Sequence, residues 1–323
     1  MFGPFRDELE FFRLLEDKYH SGADVSDDYH ITEVDLRELL SPQDFDLLVR
    51  LPQLRHVNIF CNDYTEKHLL RLPKLLTSLS SSSNSISLQA IGKFCAERPL
   101  TELSISGFTG DSMNPENWSF LTEMLVLSEM DVECQSLPAA YFSSASKAPT
   151  LRKLTLAHVE HFDRQAFDAV SGESPLQELA FFDCPGVMKN DLSALSRLKQ
   201  LNVLLFVRCG NVARCLQSLR YTDLTYLLIE DDEFVSAELE LQNFPSLRTL
   251  QLNRCKVTDA DLERFSNHGP LRHLTVHNTS VSISAIVAVV EKNKKLIICG
   301  PEDILSAWEG RHHKDWDPKY LKE

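Results

Sequence analysis

The 323-residue sequence predicts an α/β solenoid: short parallel strands stacked into a curved sheet on a concave side, with helices or irregular segments on a convex side. Three observations predict it. An apolar phrase with hydrophobic residues at positions 1, 4 and 6 recurs along the chain. From Leu151 its starts fall 23 to 25 residues apart, at Leu176, Leu201, Leu224, Leu247, Leu271 and Leu296. Many copies follow a proline (Pro52, Pro99, Pro149, Pro175, Pro245, Pro270), which stops a helix and favours an extended entry. One strand with one return segment cannot bury its own apolar face, so such units must stack.

Residues 1–30 stand apart. "FRDELEFFRLLEDKY" places Leu9, Phe12, Leu14 and Leu15 near helical spacing, and "SGADVSDDY" reads as a loop. An acidic helical cap over the first repeat is expected there, because an open solenoid end exposes core.

Residues 31–299 carry about 11 to 12 repeats. The phrase reads "LRHVNI" from Leu54, "LTELSI" from Leu100, "LRKLTL" from Leu151 and "LQELAF" from Leu176. It continues as "LNVLLF" from Leu201, "LTYLLI" from Leu224, "LRTLQL" from Leu247 and "LRHLTV" from Leu271. Weaker copies start at Ile31, Leu76, Leu121 and Leu296. The step from Leu121 to Leu151 is 30 residues, so an insertion or a misregistered repeat is expected in that interval. Alternation over the last three phrase positions predicts a short strand with its leucines inward. Helical spacing follows in Val257, Leu262 and Phe265, and again in Phe162, Phe167 and Val170. "SLSSSSNSIS" at 78–87 fits either a low-complexity linker or a strand and its turn. Residues 300–323 are expected to close the array, with Trp308, Trp316 and Tyr320 covering the last repeat.

Composition narrows the function classes. Apolar residues make up 43 % and charged residues 25 %, ordinary for a soluble protein. A net charge of −14 argues against a sequence-independent grip on nucleic acid and against an anionic membrane surface. No apolar run approaches a membrane span, and the charged N-terminus lacks the core of a signal peptide, so an intracellular location, cytoplasmic or nuclear, is expected. The eight cysteines form no C-x-x-C pair, which points to reduced, structural thiols. The chain has no Gly-rich phosphate loop, G-x-S-x-G or H-E-x-x-H. "EDDE" at 230–233 lacks the spaced ligands of a calcium loop, and "HHKD" at 312–315 reads as solvated. His273 and His277, expected on one strand and facing out, span about 13 Å and cannot share a metal. A non-catalytic chain without metal or cofactor is the expectation.

"LRTLQLNRCKVTDADLERF", from Leu247, resembles a leucine-rich repeat of the cysteine-containing subclass found in F-box leucine-rich-repeat proteins. Cys184, Cys209 and Cys255 occupy the ninth position in three repeats, and Asn62 and Asn84 in two others. The resemblance implies a structural role for these residues at the turn leaving the strand. The Leu-Pro-x-Glu start and trailing Trp of an F-box are not found. Thr258, Asp259 and Asp261 suit the start of the following helix.

On such an array, offsets 3, 5, 7 and 8 face the concave surface. The early repeats contribute His56, Asn58, serines and Glu102, whereas the middle ones contribute Phe182, Val203, Leu205, Val207, Tyr226 and Leu228. An apolar patch rimmed by Arg208, Glu230 and Asp231 is expected, of the kind that marks protein docking. The reading is a monomeric adaptor or hetero-complex subunit with a protein partner, and neither nucleic acid nor membrane bound directly. The resemblance further suggests substrate reception in a ubiquitin-ligase-type assembly. The alternative is a structural subunit whose patch is permanently buried.

Overall fold

The computed structural model describes residues 5–27, 30–108, 113–163, 166–189, 192–210, 212–221, 223–230 and 239–300. The expected cap at 300–323, with Trp308, Trp316 and Tyr320, therefore lies outside the described residues apart from Gly300. The chain divides into two compact units, Met1–Leu201 and Asn202–Glu323.

Unit 1 opens with helix α1 (Phe5–Tyr19) and strand β1 (Ala23–Val25), which pairs antiparallel with β2 (Ile31–Leu36). Then come α2 (Pro42–Val49), β3 (His56–Ile59), α3 (Glu66–Arg71), β4 (Ser78–Ser81), α4 (Leu88–Ala96) and β5 (Glu102–Ser106). After a 3-10 helix at Pro115–Glu123 follow β6 (Glu129–Glu133), β7 (Ser136–Leu137), α5 (Ala139–Lys147), β8 (Lys153–Ala157), β9 (His161–Phe162) and β10 (Glu178–Phe182). From β2 onward the strands pair in parallel with equivalent phrase positions opposite each other, as in Leu103↔Met130 and Leu154↔Leu179. β7 and β9 form a separate parallel pair.

The packed face of α1 differs from the one its spacing predicts. Phe11, Leu15 and Tyr19 are buried, whereas Leu9 is 54 % exposed. The reason is polar. Glu8 turns inward on the same side as Phe11 and accepts a hydrogen bond from Ile31 N–H (3.0 Å), with His30 Nδ1 at 3.1 Å. Tyr19 donates to Asp44 (2.5 Å) and accepts from Ser41 N–H (2.9 Å), tying α1 to α2. Partial burial works to raise the Asp44 pKa, but hydrogen bonds from Tyr19, Lys18 and Ser41 outweigh it and hold the carboxyl at about 2.

Between Leu121 and Leu151 the register is corrected. Leu121 lies in the 3-10 return, and the phrase in that repeat is "LSEMDV" from Leu127, with Leu127, Met130 and Val132 buried. "LTEMLV" meets the 1-4-6 pattern by coincidence, and its third apolar residue, Val126, is exposed. The serine-rich stretch is strand β4 and its turn, with Ser87 capping α4 by accepting from Ala90 N–H. The helical spacing at Phe162, Phe167 and Val170 does not give an α-helix: Phe162 is in β9, and the return is a 3-10 turn at Ala166–Ala169. Aromatic side chains fill the space there, in a chain of contacts from Trp118 to Tyr141 (4.7 Å), Phe142, Phe167 (4.7 Å) and Phe181.

Arg98 is buried at the ends of α3 and α4. Its guanidinium donates to the carbonyls of Leu70 (3.1 Å), Leu72 (2.6 Å), Pro73 (3.1 Å) and Phe94 (3.2 Å) and lies 3.9 Å from the Phe94 ring centroid. A single cation thus serves carbonyls at the C-terminal end of α3 and gives a second donor to Phe94 O of α4, which also accepts from Glu97 N–H (3.3 Å).

Unit 2 contains β11 (Val203–Val207), α6 (Val212–Leu216), β12 (Tyr226–Glu230), β13 (Thr249–Asn253), α7 (Asp259–Ser266), β14 (His273–Thr275), α8 (Ile283–Lys292) and β15 (Ile297–Cys299). All five strands run parallel, β11 to β14 in phrase register, whereas β15 corrects the phrase expected from Leu296 by one residue, its second residue Ile297 lying opposite the third-position His273. Asp261 caps α7 by accepting from Thr258 N–H (2.9 Å) and Thr258 Oγ1 (2.6 Å). Asp259 accepts from Ser282 N–H (2.7 Å) and Oγ (2.8 Å), linking the starts of α7 and α8.

Candidate partner-binding face

Phrase positions 4 and 6 point into the core; Leu204, Phe206, Leu227, Ile229, Leu250 and Leu252 are all fully buried. Positions 3 and 5 therefore line the open face of the strands in each unit, and parallel register sets equivalent positions side by side, about 4.8 Å apart.

In unit 2 one row runs Val203, Tyr226, Thr249, His273 and Ile297. The next runs Leu205, Leu228, Gln251, Thr275 and Cys299. The two β11–β12 steps are aliphatic or aromatic, and the rows turn polar in β13 and β14. Val203, Leu205 and Tyr226 are half-buried. Val207 (7 % exposed) and Leu228 (9 %) are more deeply covered than an open patch implies. In β12 the core positions Leu227 and Ile229 flank Leu228, so three consecutive apolar residues are buried on that strand.

The rim is built from the turns. Arg208 is exposed with φ 52°, and its N–H donates to Glu230 O (2.9 Å). His158, Asp183 and Arg254 occupy the same left-handed position after their own strands. The Glu230 carboxylate is engaged by Arg254, so this acidic position of the expected rim is balanced by a cation from the next repeat. Asp231 lies outside the described residues. His277 falls beyond β14, which ends at Thr275, so the expected shared strand for His273 and His277 is not formed.

Unit 1 presents a different face. Its rows run Glu33, His56, Ser78, Glu102, Glu129, Lys153, Glu178 and Asp35, Asn58, Ser80, Ser104, Asp131, Thr155, Ala180. Asn58 donates to both Glu33 and Asp35 (2.8 Å each), and Lys153 lies between Glu129 and Glu178 at 3.9 and 3.7 Å. Phe182 belongs to this unit, half-buried opposite Ala157 at the end of β10.

Cys184, Cys209 and Cys255 occupy one position in three repeats, each 4 % exposed or less. Their thiols donate to strand carbonyls: Cys184 to Phe182 O (3.2 Å), Cys209 to Val207 O (3.4 Å), and Cys255 to Ile229 O and Asn253 O (3.3 Å each). Burial pushes the Cys184 thiol up to about 11, against hydrogen bonds with Val159 and Phe182 that act to lower it. Sequence reasoning passed over Arg98 and Glu8; the signal for Glu8 was a carboxylate one turn from Phe11 and two turns from Leu15 in an otherwise apolar helix stripe. Among the described residues no group of three or more His, Cys, Asp or Glu side chains is placed to hold a metal ion, and no helix is long and apolar enough to cross a membrane.

No protein-family model and no curated protein matches the sequence. Among solved structures the chain is similar to yeast Rad7, crystallised in complex with Elc1 (TM-score 0.51, 17 % identity, covering 84 % of this chain and 75 % of that one). It is also similar to human 5T4, the trophoblast glycoprotein (TM-score 0.46, 18 % identity, 63 % and 82 % covered), and to an internalin of Listeria monocytogenes (0.43, 16 %, 84 % and 86 %). With parallel strands in phrase register and the likeness to Rad7, the chain has the leucine-rich-repeat fold.

Proposed function

We propose that the chain is a non-catalytic, intracellular interaction scaffold that receives a protein partner on the open face of unit 2. One observation carries the reading: Val203 with Tyr226 and Leu205 with Leu228 stand in lateral register on neighbouring strands, whereas the open rows of unit 1 are polar or charged almost throughout. A half-buried tyrosine among aliphatic side chains, beside the Arg254–Glu230 ion pair, has the make-up of an interface centre and its rim. Cys184, Cys209 and Cys255 are structural positions of the repeat, not nucleophiles. A role as the substrate-receiving subunit of a ubiquitin-ligase-type assembly is supported by the repeat phrase and by likeness to a fold seen in complex with a second protein.

Affinity purification with mass spectrometry, comparing wild type with Leu205→Asp and with Tyr226→Ala, tests this. Loss of specific partners from folded variants supports it, and an unchanged set of partners refutes it. An obligate subunit would instead aggregate when expressed alone, while an adaptor stays monomeric.

A further inference from the structure

The last described strand of unit 2 is β15, whose surface differs from those of the strands before it. In β13 and β14 the inward residues Leu250, Leu252 and Leu274 are fully covered. In β15 the inward residue, Ile298, opposite Leu274, is half-exposed, and its neighbour Ile297 on the open face is 44 % exposed. Among the described residues β15 pairs only with β14, leaving its outer edge without a ladder partner.

Helix α8 shows which way this surface faces. Ile286 and Val289 are buried beneath it, while Lys292 reaches back to Glu263 of α7 (3.0 Å) and marks the side turned toward the preceding repeat. At 100° per residue, Ile283, Val287 and Val290 fall opposite Lys292, toward the end of the array. Ile283 and Val287 are 51 % and 46 % exposed. Helix and strand therefore leave one apolar end surface that a further repeat would cover.

We propose that this surface is the seat of residues 304–320 of the same chain. In sequence that segment begins five residues after Cys299, the last residue of β15, and carries Ile304, Leu305 and Trp308, then Trp316 and Tyr320, among charged residues. Glu302 and Asp303, just before it in sequence, complement the exposed Lys294 and Lys295 of the α8–β15 turn. Short tethers give effective concentrations of about 1 mM, which favours the tail over a second copy at working concentrations.

The chain has three tryptophans, and Trp118 is fully buried in unit 1, so acrylamide quenching of the full-length chain reports on Trp308 and Trp316. Shielded emission is expected in wild type, with a red shift and severalfold stronger quenching in Ile283→Glu/Val287→Glu, whose sites are exposed. As a second route, Trp308→Ser, which alters no described residue, should speed amide hydrogen exchange in α8 and β15. Equal quenching in wild type and double variant, together with unchanged exchange in Trp308→Ser, would overturn the proposal. So would shielding that appears only with a concentration-dependent dimer in sedimentation, which would assign the surface to a second copy.

Discussion

Replacing Arg98 by Met keeps the bulk of the side chain and removes its charge and donors. Four carbonyls, of Leu70, Leu72, Pro73 and Phe94, then lose their shared partner in a site that is 6 % exposed. Leaving one buried polar group unsatisfied costs about 1–3 kcal/mol, and hydrogen bonds to a charged donor lie at the upper end. These effects are not additive, since frayed helix ends regain some water, so a loss of ~3 kcal/mol is expected rather than the sum. At roughly 2–4 °C per kcal/mol, the corresponding fall in Tm is ~6–12 °C. Thermal unfolding followed by far-UV circular dichroism measures it, with Arg98→Lys as the companion variant. Lysine has a single ammonium in place of the planar fork and should recover less than half of the loss. A Tm for Arg98→Met within a degree of wild type would refute the assignment of Arg98 as a shared helix cap.

Three further outcomes follow from the same contacts. The Asp44 carboxyl, held at about 2 against an ordinary value of 3.8, contributes stability that is present above the ordinary value and lost as pH falls through about 2. The Tm of Asp44→Asn should therefore decline less than that of wild type between pH 4 and pH 2; parallel declines would sink this account of the α1–α2 tie. Burial pushes the Cys95 thiol up to about 12 and that of Cys184 up to about 11, so iodoacetamide at pH 8 should label half-exposed Cys61 first and reach those two only on unfolding. Peptide mapping that finds Cys184 labelled early in the folded protein would contradict a structural role. In Gly186→Ala the new Cβ would lie 2.5 Å from Glu160 O, a backbone atom, so a loss of about 1–3 kcal/mol is expected in denaturant titration, and an unchanged midpoint argues against that close approach.

Much of this architecture was legible because a repeat states its rule many times. Leu151, Leu176, Leu201, Leu224, Leu247 and Leu271 each start a phrase whose fourth and sixth residues are buried, and the parallel register follows from aligning them. The rule failed where it was stated once. "LTEMLV" and "LSEMDV" both satisfy the pattern, and only packing chooses Leu127. Returns were harder to read than strands, since short 3-10 turns have no extended apolar period and Phe167 serves equally in a turn or a helix. The face of α1 was misassigned because pattern reasoning places carboxylates outside, whereas Glu8 is drawn in by Ile31 N–H and His30. At the candidate site the strand positions of Val203, Leu205, Tyr226 and Leu228 followed from the phrase. Their degree of cover did not, because it depends on lateral neighbours more than twenty residues away. The engagement of Glu230 by Arg254 was hidden for the same reason.

The central claim is that the β11–β12 face, and not the helical side of the repeats, holds the partner. Titration calorimetry with the partner recovered by wild type tests it most directly, using Tyr226→Ala on the face and Leu47→Glu on the exposed side of α2 as control. The account predicts that Tyr226→Ala weakens the Kd roughly 30-fold, equivalent to about 2 kcal/mol, as for a hot-spot aromatic. It predicts that Leu47→Glu binds within about twofold of wild type, as for residues outside an interface. An unchanged Kd for Tyr226→Ala, with binding lost in Leu47→Glu, would contradict it.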